Sequence, residues 1–303
     1  MDAAPASDRR GREAQGLALA FASAAAFGTN IVSAQIAGQA GLSGALLVFY
    51  RVAIMLALVV LAGFVTKASL AVAAGERRAV FAFGVATALV GTAYLSSVSF
   101  VPVSVAAVIF YTFPLVIVLA EPLVTPAPFR LDRLLVALIA LIGIGLVVGP
   151  DWQGLDPRGL ALAALASLTA AVQFFAAAGC ARVGTVAKLF WSHVVILPVT
   201  LLILMLVGGI LPPSALALAP VAIAITFGGY FIGFLLQILA LARVAPGPAG
   251  LAFCAEPVFA VLIAAFFLGE RLASLQYAGC GLVMAALVTN VIIEQSRRRL
   301  LPA

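Results

Sequence analysis

The 303-residue chain is 65% apolar and only 9% charged, with a mean hydropathy of +1.23 and a net charge of +6. Soluble domains carry about 25% charged residues, so this composition excludes a water-facing surface of ordinary make-up. The positive charge does not point to nucleic acid either, because the basic residues sit in short segments between long apolar runs.

In chain order the apolar runs cover 16–38, 44–66, 79–98, 103–123, 131–149, 159–178, 189–208, 216–241, 249–268 and 272–293. Each is close to the ~20 residues that carry a helix across a ~30 Å hydrocarbon core. They are built of Ala, Leu, Val, Gly and Phe without the alternation of barrel strands, and lipid admits only helices or closed barrels. The expected fold is an all-α polytopic membrane protein with ten transmembrane helices. The first run follows MDAAPASDRRGREAQ and exceeds the core of a cleavable signal, so it is read as a spanning helix. Ten spans put both chain ends on one side. All of the basic residues except Arg51, Arg158 and Arg271 fall on that side, and the positive-inside rule then places both termini in the cytoplasm of a cell inner membrane.

Polar residues within the runs are the candidates for function. Asn30 lies near the middle of the first span. Arg51 lies inside the second near its outer end, where snorkelling to the interface is the default, with an outer-side carboxylate or headgroup as partner, or a substrate carboxylate if it turns inward. Thr87, Gly91, Tyr94 and Ser97 form a helical stripe on the third span. The fourth carries Phe110, Tyr111 and Pro114, and then Glu121 toward its cytoplasmic end, where an interfacial ion pair with Arg130 or Arg133 is expected. Gln173 lies on the sixth span, flanked by Phe174 and Phe175, and a second stripe, Thr226, Tyr230, Gly233 and Gln237, on the eighth. Trp152 and Trp191 are read as interfacial belt residues, His193 as a packing residue, and Cys180, Cys254 and Cys280 as small packing residues. Gly229, Gly233, Gly143, Gly145, Gly279 and Gly281 permit close helix contact within or between chains.

Glu256 on the ninth span is the most telling of these. A charge at mid-membrane costs ~3 kcal/mol on insertion scales, so such residues face water or a partner. Pro257 lacks an N–H and frees the carbonyl of Phe253, four residues back. Two readings stand: a substrate or proton site, or a neutral Glu hydrogen-bonded within the bundle.

The chain also compares with itself. At an offset of 143, "GLALA" at Gly16 meets "GLALA" at Gly159, Asn30 falls on Gln173, Pro114 on Pro257, and "SFVPVSVAAV" on "ARVAPGPAGL". Each copy holds an odd number of spans, so the second enters the membrane from the opposite face: the repeats are inverted, a device of secondary transporters that bind substrate near the midplane. The expected segments are a cytoplasmic stretch at 1–15, a first five-helix repeat at 16–149, an outer linker at 150–158, a second repeat at 159–293 and a basic cytoplasmic tail at 294–303.

"VPVSVAAVIFYTFP" on the fourth span and "EPVFAVLIAAFFLGERL" on the ninth resemble the EamA family of the drug/metabolite transporter superfamily, over nearly the whole chain. Where the first copy would carry a Glu-Arg-Leu it reads "TPAPFRL", and from Pro114 to "GIGLVV" is seven residues longer than from Pro257 to "GCGLVM". The resemblance implies a cavity ringed by spans one, three, four, six, eight and nine, with five and ten peripheral. It also implies export of small metabolites by alternating access, amino acids including aromatic ones foremost. Glu256, Asn30, Gln173, Tyr94, Tyr111, Tyr230 and Gln237 are the expected substrate contacts, with Glu256 meeting an ammonium group and amide or hydroxyl donors a carboxylate. A sugar-phosphate or nucleotide-sugar carrier is the nearest alternative, but it calls for inward Lys or Arg. An intramembrane enzyme lacks a metal motif or nucleophile set, and a lipid scramblase is the remaining class. No cofactor or metal is expected; the expected partners are a small-molecule substrate and membrane lipids, with the oligomeric state open.

Overall fold

The computed structural model describes residues 6–126, 128–150, 153, 155–207, 212–269 and 271–300. Its helices are α1 (Ala6–Gln39), α2 (Gly44–Thr66), α3 (Arg77–Ser97), α4 (Val103–Phe110), α5 (Phe113–Val124), α6 (Leu131–Val148), α7 (Pro157–Gly179), α8 (Thr185–Val207), α9 (Pro220–Leu241), α10 (Pro246–Phe253), α11 (Glu256–Leu268) and α12 (Ser274–Leu300). Among the described residues they make ten apolar spans, α4 with α5 and α10 with α11 each sharing one. Local chemistry sets several ends. Ser43 caps α2 by accepting from the Leu46 N–H, Asp156 caps α7 by accepting from the Arg158 N–H with Pro157 in the first turn, and α6 closes on Gly149 at φ 58°. Trp152 and Glu270 lie outside the described residues.

The fourth and ninth spans are read in the sequence as unbroken runs; both are interrupted. α4 gives way at Tyr111 and Thr112, α10 at Cys254 and Ala255, and the second half-helix then starts with its proline in the first turn. Phe110 and Phe253, the last residues before each break, are equivalent in the repeat register, so the interruption is a symmetric feature of the fold. A proline removes one backbone N–H and crowds the carbonyl four residues back, which is tolerated in lipid only where the freed groups face protein or a cavity.

The two repeats interlock. α1 packs along α9 and, in the equivalent pairing, α7 along α3; α2 packs along α8, and α6 along α12. Each of these pairings crosses between halves, so neither half has a core of its own. Small residues bring the backbones together. A Cβ on Gly229 would stand 2.8 Å from the Ala26 carbonyl oxygen, one on Gly233 3.1 Å from the Phe27 ring, and one on Gly279 2.7 Å from the Gly143 carbonyl oxygen. These glycines serve contacts within the chain, whereas Gly145 and Gly281 have nothing within 4 Å. Polar bonds tie the same crossings: Ser23 Oγ donates to the Gly233 carbonyl at 2.6 Å, and Thr226 Oγ1 to Ser33 Oγ at 2.9 Å. Cys180, Cys254 and Cys280 are buried.

The seven extra residues of the first repeat lie in α6. Gly143 is preceded in its helix by Leu131–Ile142, Gly279 only by Ser274–Ala278. Seven residues are about two helical turns, which restores the phase to within ~20° and keeps Gly143 facing Gly279. The added turns carry Arg133, which pairs with Glu121 of α5 at 2.6 Å and Glu294 of α12 at 2.8 Å; Arg130 joins through Asp132 at 2.7 Å and Glu294 at 3.4 Å. Glu121 pairs with Arg133, one of the two partners expected; the pair is buried between helix ends, and Glu294 completes it.

Outside this core the surface is apolar: Phe64, Leu123, Phe266 and Phe267 are among its most exposed residues. A face of that kind suits hydrocarbon. Trp191 stays exposed and donates its indole N–H to the Leu70 carbonyl at 2.9 Å.

Candidate functional site

A cavity of ≈ 970 Å³, its open mouth included, lies between the halves. Its rim is set by Ala45, Leu95 and Ile203, at the ends of α2, α3 and α8 farthest from the chain termini, and its depth by Glu256, Gln173 and Phe253, where the discontinuous α10–α11 span meets α7. Small-molecule sites are typically 300–1,000 Å³, apolar-walled and furnished with a few converging polar groups. Aromatic rings form much of this wall. Phe113, Phe174 and Phe253 follow one another at centroid spacings of 5.3 Å, and Phe27 lies 6.3 Å from Phe253. Beyond them, toward the chain ends, α1 packs against the α9–α10 corner, where a Cβ on Gly16 would meet Val244 at 3.0 Å and Arg243 donates to Gln15 at 3.1 Å.

The sequence-derived candidates divide by position. Glu256, Gln173, Tyr230 and Gln237 line the cavity, together with Thr87 and Gly91. Glu256 opens α11, directly after the break at Cys254 and Ala255. Gln173 Nε2 donates to Thr87 Oγ1 at 2.8 Å, so this amide joins α7 to α3. Tyr94 and Tyr111 stand behind the wall, packed on Phe110 at centroid distances of 5.3 and 5.2 Å. Asn30 also stands behind it: its Nδ2 donates to the Thr226 carbonyl at 2.5 Å, and its Oδ1 accepts from Arg51 Nη1 at 3.2 Å. Thr226 and Ser97 are bonded within the bundle and do not line the cavity.

Two features depart from expectation. Spans two and seven contribute to the wall through Val48, Arg51, Ile196 and Thr200, in addition to the six spans expected; none of the described residues of α6 or α12 does. Arg51 does not snorkel. It stands seven residues into α2, about 10 Å below the helix start, and its guanidinium turns inward over the Tyr230 ring, 4.4 Å from the centroid. Tyr230 is held in turn by His193, which is fully buried: Nε2 lies 3.1 Å from the Tyr230 hydroxyl and Nδ1 2.8 Å from the Leu189 carbonyl. Because a carbonyl only accepts, Nδ1 carries the proton and the neutral Nε2 accepts from Tyr230. Its depth in the second run was the available signal for Arg51, since a side chain that far from the interface cannot easily reach it.

The profile of the EamA-like transporter family matches residues 14–149 and, a second time, 157–292. No curated protein matches the chain. One solved crystal structure superposes with a TM-score of 0.79 at 19% identity, covering 94% of this chain and 99% of the other, a likeness that speaks for the fold alone. With two copies of one family matched end to end over ten spans and a cavity between them, the chain belongs to the EamA-like transporter family, whose members carry small molecules across membranes.

Proposed function

We propose that this transporter exports amino acids, aromatic ones included, across the cell inner membrane by alternating access, with both chain ends in the cytoplasm. The observation that carries the reading is Glu256: a carboxyl group at mid-span, at the break between α10 and α11, opening into a cavity walled by phenylalanines. Glu256 offers a counter-charge to a substrate ammonium, and Phe27, Phe113, Phe174 and Phe253 offer apolar faces to a side chain. The lining runs from Glu256 and Gln173 to Ala45, Leu95 and Ile203, at helix ends opposite the termini, which in the proposed orientation is the outer side. Outward direction and the amino-acid class come from the family resemblance.

The sugar-phosphate alternative is disfavoured by charge. Of the described lining residues Arg51 is the sole cation and Glu256 repels a phosphate, while Arg133 is committed to Glu121 and Glu294. A thermal-stability screen of the detergent-solubilised protein against amino acids, amines and sugar phosphates tests the reading. Stabilisation by L-phenylalanine or another amino acid is expected; stabilisation by sugar phosphates alone refutes it.

A further inference from the structure

We propose that Arg51 is the carboxylate anchor of the substrate site, so that recognition is two-pointed: Glu256 takes the ammonium group and Arg51 the carboxylate. The inference rests on the amino-acid reading above and, of the two carboxylate partners expected from the sequence, selects an inward-turned Arg51 over amide or hydroxyl donors. Two of the three candidate amides, Gln173 and Asn30, are already engaged, and the third, Gln237, carries no charge to offset a carboxylate. Gln173 donates to Thr87 and Asn30 to the Thr226 carbonyl. Arg51 is not engaged to the same extent. Of its five N–H donors, one meets Asn30 Oδ1 at 3.2 Å, and its Nε is buried with no hydrogen-bond partner. No carboxylate among the described residues lies within ion-pairing distance of it, Glu256 included.

A guanidinium held inside a membrane bundle without an anion is costly, and such residues face a partner or an aqueous path. Here the side chain is also aimed. Asn30 is pinned by the Thr226 carbonyl so that its Oδ1 faces Arg51, and Tyr230, fixed by His193, supports the guanidinium from below. A planar, immobilised fork lining a cavity is the arrangement that recognises a carboxylate with two parallel hydrogen bonds. The wall thus presents one fixed positive and one negative group that do not neutralise each other, which matches a zwitterion and disfavours a simple amine or acid.

The test is isothermal titration calorimetry on the full chain in detergent micelles with L-phenylalanine, phenethylamine, which lacks the carboxylate, and 3-phenylpropionate, which lacks the ammonium. Arg51→Gln is expected to weaken L-phenylalanine and 3-phenylpropionate about 30-fold or more, with no comparable loss for phenethylamine; Glu256→Gln is expected to show the reverse selectivity. Arg51→Lys keeps the charge but not the fork, and should fall between wild type and Arg51→Gln for the two carboxylate-bearing probes. Equal losses for all three probes in Arg51→Gln and Arg51→Lys give Arg51 a purely structural part and overturn the inference. A wild-type protein that binds phenethylamine but neither carboxylate-bearing probe overturns it while leaving the role of Glu256 intact. A wild-type protein that binds no ammonium-bearing probe refutes the amino-acid reading itself.

Discussion

Replacing Arg133 by Met is expected to destabilise the bundle strongly. The guanidinium is 9% exposed and sits between two carboxylates that are 6% and 9% exposed, donating to Glu121 at 2.6 Å and to Glu294 at 3.0 and 2.8 Å. Met fills much of the same volume, so little of the loss comes from a cavity. What remains is Glu121 stripped of its cation, and Glu294 left with Arg130 alone at 3.4 Å, where α5, α6 and α12 meet. Removing one partner of a buried ion pair costs about 3–5 kcal/mol. At roughly 2 °C per kcal/mol for a chain of this size, the midpoint falls by roughly 6–10 °C. Neutralising the partners as well, in Arg133→Met/Glu121→Gln/Glu294→Gln, should recover most of that loss, since a buried triad is often no more stable than an uncharged replacement. Thermal unfolding of the three proteins in one detergent, followed by intrinsic fluorescence, measures both effects. A single variant within about 2 °C of wild type, or a triple variant no better than the single, refutes the assignment of this cluster as a buried, mutually dependent network.

Other expectations follow from the same geometry. Gly229→Ala should cost about 1–3 kcal/mol, because its Cβ would meet the Ala26 carbonyl oxygen at 2.8 Å, whereas Gly281→Ala, with open space around it, should stay within about 0.5 kcal/mol; unfolding midpoints of the two decide it. Asp156, outside the spans, is held below the usual carboxylate range by the side chain of Arg158 and then by its backbone N–H. Its contribution is therefore present above the unfolded-state value and fades as pH falls through the lower folded value, so the midpoint deficit of Asp156→Ala should be seen at neutral pH and vanish in strong acid. In whole cells an impermeant maleimide should label a cysteine at Ser43 and spare one at Ser296; the opposite pattern reverses the proposed orientation.

Much of the architecture was legible because lipid leaves a chain few choices. Length and hydropathy set the spans, and the coincidence of Asn30 with Gln173 and Pro114 with Pro257 exposed the inverted halves before any coordinates. Legibility ended where a side chain's partner is remote. Glu121 and Arg133 are close in sequence and their pairing could be read; Glu294 is 161 residues from Arg133 and lies among charged residues that read as a tail, although α12 continues through them to Leu300. The same holds in the cavity. The apolar context of Glu256 announced it, but whether Arg51 turns outward or inward depends on Tyr230 and Asn30, which no local pattern connects to it. Asn30 stands out by its repeat match with Gln173 and Tyr111 by its chemistry, and the fold sets both one layer back, where Asn30 holds Arg51 and Tyr111 packs on Phe110. The helix breaks at Tyr111 and Cys254 were half-visible: a proline marks each, but the extent of unwinding depends on what the freed backbone faces.

Counterflow of radiolabelled L-phenylalanine in proteoliposomes, comparing wild type with Glu256→Gln at equal reconstitution, tests the central claim most directly. Exchange by the wild type that drops to the protein-free background in Glu256→Gln is the predicted result. Undiminished exchange in Glu256→Gln would contradict the claim that the cavity between the inverted halves binds its substrate through this carboxyl group.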